Sequence, residues 1–194
     1  LHATALDAGS AGGVSIADLD GDGEVELATT MYWSGGGKIY AANADGTLLW
    51  SAPALDNSPL SVSVMDLEGD GVYEVAWNGA VGGFTIFNGA DGTVLFNEPH
   101  SEVISQTGSD YPVIADVDLD GYAEIVVTSQ RGLRVFGYDG AWGPSRPIWN
   151  QHTYHITNIN DNLSVPFHEA DSWQVHNTYR TQTPLRYPMP VYSV

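Results

Sequence analysis

At 194 residues and 43% hydrophobic content, the chain can bury a sizeable core, which excludes an intrinsically disordered segment. Its 24 acidic residues outnumber the 6 basic ones for a formal charge of -18, a field that repels nucleic acid and anionic membrane surfaces and favours cations. The absence of cysteine removes disulfides, thiolate metal sites and thiol nucleophiles, and no apolar run reaches the roughly 18 residues of a transmembrane helix.

The chain begins at Leu1 without a methionine or a signal-like apolar stretch, and is read as a processed product or a fragment. Short β-strands are then expected over 14–17, 25–30, 38–42 and 47–50, with the acidic run Asp18-Leu19-Asp20-Gly21-Asp22-Gly23-Glu24-Val25-Glu26 between the first two. The plan recurs as strands over 61–65, 73–77, 84–87 and 93–96 around Asp66-Leu67-Glu68-Gly69-Asp70-Gly71-Val72-Tyr73-Glu74. It recurs again as strands over 112–115, 123–128 and 133–136 around Asp116-Val117-Asp118-Leu119-Asp120-Gly121-Tyr122-Ala123-Glu124, where Pro144 and Pro147 interrupt any fourth strand. The first aspartates lie 48 and 50 residues apart, and hairpin pairs at Asp45-Gly46, Asp91-Gly92 and Asp139-Gly140 keep step with them. That period is close to one four-stranded blade, so the expectation is an all-β chain of about three antiparallel β-propeller blades followed by an irregular C-terminal tail. The expected divisions are 1–143, with repeats at about 12–58, 59–108 and 109–143, and 144–194 as a tail completing or capping the last blade. Three blades do not fill a ring, which normally closes with about four to eight. A longer chain, neighbouring chains or a degenerate fourth blade would have to supply the rest.

Calcium takes about six to eight oxygen ligands at flexible geometry, and each acidic loop offers carboxylates at positions 1, 3, 5 and 9 with a carbonyl at 7. The expected ligands are Asp18, Asp20, Asp22, the Glu24 carbonyl and Glu26; then Asp66, Glu68, Asp70, the Val72 carbonyl and Glu74; then Asp116, Asp118, Asp120, the Tyr122 carbonyl and Glu124. Up to three Ca2+ ions would bring the charge from -18 to about -12. Four carboxylates in nine residues repel one another unless a cation offsets them, whereas a purely structural reading would have Asp and Gly serve turn chemistry alone. EF-hand loops differ, because helices flank them and their last acidic ligand stands at position 12 rather than 9.

The Asp-x-Asp-x-Asp-Gly-x-x-Glu core in this β context, over roughly residues 12–143, resembles the FG-GAP and VCBS repeat families, and more closely the bacterial VCBS type. The resemblance implies a structural calcium in each repeat and no catalytic residue. Filling at about 10⁻⁴ to 10⁻³ M, typical of extracellular calcium modules, points to an extracellular or cell-surface location.

Tyr32 and Trp33, which precede Ser34-Gly35-Gly36-Gly37, are the candidate ligand contacts, since an aromatic face offers a platform for a sugar ring. In the tail, His152 and His155 are three apart, a spacing that in a strand points them to opposite faces. The expected role is adhesion, carbohydrate or protein contact, or assembly, including self-association with neighbouring chains. The alternatives are part of a polysaccharide-degrading enzyme and a subunit of an extracellular polymer.

Overall fold

The computed structural model describes residues 9–33, 36–54, 60–99, 103, 105, 110–138 and 140–185. Among them lie three antiparallel sheets and very little helix. The first sheet holds β1 (Ser10–Ala11), β2 (Ser15–Ala17), β3 (Glu26–Trp33), β4 (Gly36–Asn43) and β5 (Leu48–Ala54). β6 (Ser63–Met65), β7 (Glu74–Gly79), β8 (Gly83–Phe87) and β9 (Val94–Glu98) form the second. The third contains β10 (Val113–Ala115), β11 (Glu124–Ser129) and β12 (Gly132–Gly137), and a single turn of helix, α1 (Ser172–Val175), lies in the tail.

Side chains alternate across each strand, so the second sheet can serve two cores at once. Val75, Trp77 and Phe87 join Ala28, Ile39, Ala41, Trp50 and Ala52 of the first sheet in one buried cluster. Ala76, Phe84 and Ile86 point the other way and join Ile114, Ile125 and Val127 of the third sheet in another. Every residue of β7 and β8 is therefore buried. The Phe84 ring stacks on Phe136 at 4.7 Å, and Phe96 meets Phe136 edge-on at 5.6 Å. Polar contacts tie the short strands together: the Ser15 hydroxyl donates to the Val62 carbonyl at 2.8 Å, and Ser63, at the same place in the next repeat, donates to the Pro112 carbonyl.

Each expected strand is present within a few residues of its expected bounds, but the expectation of four-stranded propeller blades is not met. The sheets hold five, four and three strands, and among the described residues they close into neither a barrel nor a propeller ring. The physical reasons are local. β3 is eight residues long and β2 only three, so β3 keeps a free edge where Ser10 and Ala11 pair with Tyr32 and Met31. At the other end, the chain after β12 leaves the sheet: the Gly143 amide donates to the Leu67 carbonyl at 2.5 Å, and the Gly143 carbonyl accepts from Ala123 at 3.0 Å. Residues 140–148 are thus held near the second and third acidic loops instead of extending the third sheet.

The tail binds the repeats at matching positions. Ile16, Val64 and Ile114 each stand two residues before the first aspartate of a loop. The Ile16 amide donates to the Tyr179 carbonyl and the Tyr179 amide donates back to Ile16, at 2.8 and 3.0 Å. The Gln182 amide donates to the Val64 carbonyl at 2.9 Å, and its side-chain Nε2 donates to the Ile114 carbonyl at 2.9 Å. The same Nε2 reaches the carbonyls of Ile148 and Arg146, while its Oε1 accepts from the buried Tyr154 hydroxyl at 3.0 Å. Replacing Gln182 with Leu strands these buried carbonyls and the hydroxyl. Urea unfolding should show a loss of about 3 kcal/mol for Gln182→Leu, because each unsatisfied buried polar group costs about 1–3 kcal/mol.

Candidate metal centres

The three acidic loops fold alike because their backbone donors turn inward onto their own aspartates. Asp18 accepts from the amides of Gly21 at 2.8 Å and Gly23 at 3.0 Å, and Asp66 accepts from Gly69, Asp70 and Gly71 at 2.6, 3.1 and 3.0 Å. Asp116 accepts from Gly121 at 3.0 Å. Position 5 secures the next turn, with Asp22, Asp70 and Asp120 accepting from the amides of Glu24, Val72 and Tyr122 at 2.8, 2.9 and 2.8 Å. Position 9 opens a strand and reaches back. One oxygen each of Glu26, Glu74 and Glu124 accepts from the amides of Leu19, Leu67 and Val117 at 2.7, 2.7 and 2.8 Å.

Position 6 is glycine in all three loops, with φ of 92°, 92° and 98° at Gly23, Gly71 and Gly121. Position 4 has a left-handed backbone too. Gly21 and Gly69 take it freely, whereas Leu119 adopts φ 66° with its side chain exposed, a strain of about 1–2 kcal/mol for a residue with a Cβ.

Two loops gather their carboxylates. Oxygens of Asp18, Asp20 and Asp22 lie within 4.8 Å of one another, as do those of Asp116, Asp118 and Glu124. At that separation two ionised carboxylates repel by about 3 kcal/mol at an effective dielectric of about 20, so each trio favours a cation. Calcium would meet three carboxylates there, with carbonyls and water to complete its shell. The third loop gives the more specific signal. Asp116 is only 4% exposed, and although the Leu119 amide is directed at this carboxylate, its buried Oδ1 makes no hydrogen bond of good geometry.

The second loop gathers no such trio among the described residues. Its Glu68 is exposed, and the Glu68 and Glu74 carboxyls are hydrogen-bonded to each other. Burial, followed by the hydrogen bond and charge of Glu68, pushes Glu74 up to about 9, so this pair holds a proton at neutral pH. Burial also raises Glu26, Asp66, Asp116 and Glu124 above the usual carboxylate range, with neighbouring loop aspartates adding to it.

Among the other expected site residues, Tyr32 and Trp33 end β3 opposite Gly37 and Gly36, where both are half-buried. The Lys38 ammonium lies 5.7 Å from the Trp33 ring, a cation–π contact, and Ser34 and Gly35 lie outside the described residues, as does Asp139 of the third hairpin pair. His152 and His155 fall in turns rather than a strand. His152 packs edge-on against the Tyr111 ring, and His155 pairs with Glu169.

The raised carboxylates give the metal-free protein a definite pH dependence. A group whose folded pKa is raised stabilises the fold fully below its ordinary value and loses that contribution as pH rises through the folded value. For Glu74 the window runs from 4.5 to about 9. In EDTA the melting temperature should therefore fall as pH rises across that window, and Glu74→Gln should flatten the slope. Calorimetric scans at several pH values check both statements.

No protein-family model matches the chain, and no curated protein matches it, so the likeness to FG-GAP and VCBS repeats rests on the loop motif alone. Among solved structures, the chain is similar to the biofilm matrix protein Bap1 of V. cholerae, with a TM-score of 0.68 and 24% identity over 83% of this chain. The match spans 28% of the Bap1 chain, and at this identity the likeness is one of fold.

Proposed function

We propose that this chain is a calcium-stabilised β module of an extracellular matrix or adhesion protein, with carbohydrate or protein as its ligand. The observation that carries the calcium reading is the third loop, where Asp116, Asp118 and Glu124 converge around a buried Asp116 oxygen that lacks a well-formed hydrogen bond. A cation there would remove both the unmet acceptor and the mutual repulsion of the carboxylates. The first loop, with Asp18, Asp20 and Asp22 together, is the second site. The second loop, with Asp66, Glu68, Asp70 and Glu74, binds only after the Glu68–Glu74 pair gives up its proton.

Placement outside the cell has two supports. Extracellular calcium modules of this type fill at about 10⁻⁴ to 10⁻³ M, far above cytosolic calcium. The solved structure of similar fold is a matrix protein. Among the described residues no helix is long and apolar enough to cross a membrane. The biological activity then belongs to the sheet surfaces, and the ions hold the strand connections that carry those surfaces.

Thermal unfolding in calcium and in EDTA tests the reading. Calcium at about a thousand times its dissociation constant should add about 4 kcal/mol per site, and Asp116→Asn should remove the part contributed by the third loop. Equal melting temperatures in calcium and EDTA would end the proposal.

A further inference from the structure

We propose that the groove between the first two sheets binds a neutral sugar residue. The groove has a volume of about 450 Å³, within the range of small-ligand sites, and is lined by Trp77, Phe87, Thr85, Asn97, Ser51 and Gly82 together with small apolar neighbours. Among the described residues no charged side chain lines it, although the chain as a whole carries a charge of -18.

Three features give the groove its chemistry. Trp77 is 2% exposed, and its indole Nε1 is buried without a hydrogen-bond partner, so the fold leaves one donor unmet in a residue that walls the groove. The indole is held in place by Gly79 and Gly82, since a Cβ at either position would collide with the ring. Asn97 is fixed as well, because its Nδ2 donates to the Thr85 hydroxyl at 2.8 Å and to the Gly82 carbonyl at 3.2 Å. A pyranose ring offers an apolar C–H face to the exposed Val94 and Pro53 and a rim of hydroxyls to uncharged polar groups such as Ser51 and Asn97. A carboxylated sugar would bring a further negative charge into an uncharged groove of an acidic chain.

The second inter-sheet boundary does not repeat the site. By strand register Val127 occupies the place of Trp77 and Arg134 that of Thr85. The groove therefore belongs to one boundary only, which a repeat-derived packing feature would not.

This inference deepens the reading of the chain as a carbohydrate-contacting module and is independent of the metal. Its test is a ¹H–¹⁵N titration of the calcium-loaded protein that follows the indole N–H of Trp77, assigned by its loss in Trp77→Phe. The probes are neutral gluco- and galacto-oligosaccharides and, in parallel, oligogalacturonates. The expected result is a saturable shift of that resonance with a neutral probe, at least about tenfold weaker binding of the uronates, and about tenfold weakening in Thr85→Val and in the exposed-site variant Asn97→Ala. Absence of a shift with every neutral probe, equal or tighter uronate binding, or binding unchanged by both variants would overturn it. A protein that keeps its calcium-dependent melting but shows no saccharide shift overturns this site and leaves the module reading standing.

Discussion

Glu26, Glu74 and Glu124 each carry a carboxylate into the protein, where exposure falls to 2%, 2% and 7%, and each gives one oxygen to a backbone amide at the start of its own loop. That bond closes the nine-residue turn and joins the strand before each loop to the strand after it. It also places negative charge where water is scarce and beside other acids of the same loop. Such a group holds a proton or faces a cation, because an isolated ionised carboxylate away from water is far too costly. The strand pairings β2–β3, β6–β7 and β10–β11 all start from this connection.

The same constraint sets what differs among the repeats. In the second loop, glutamate at position 3 reaches the position 9 carboxyl, so two acids share a proton in place of a third carboxylate's company. In the third, Leu119 replaces the glycine of its sisters and takes the strained backbone that they take freely. The loop that bears this strain is also the one with a buried carboxylate oxygen lacking a well-formed hydrogen bond, a combination that fits a site shaped for an ion.

Much of this was legible in sequence. The Asp-x-Asp-x-Asp pattern and its 48- and 50-residue spacing marked the repeats, and alternation placed the strands within a few residues. The assembly was less so. A repeat period describes a unit and not how many strands finally join it, so β1 was hidden in a pairing distant in sequence, whereas Pro144 and Pro147 already marked the lack of a fourth strand in the third sheet. Gln182 was hidden for the same reason, since the carbonyls its side chain reaches lie 34 to 68 residues away and no local pattern links them. In the loops, the aspartate positions were readable. Which oxygens converge was not, because it depends on side-chain reach: Glu26 stays out of the first trio, and Glu124 enters the third.

If calcium holds the acidic loops together, its binding to the second loop displaces the proton that Glu74 carries. Calorimetric titration of calcium into the metal-free protein near about pH 6, in two buffers of different ionisation enthalpy, measures that exchange directly. Saturable binding with protons released, seen as heats that differ between the buffers, is the expected result. Absence of binding, or heats identical in both buffers, would contradict it.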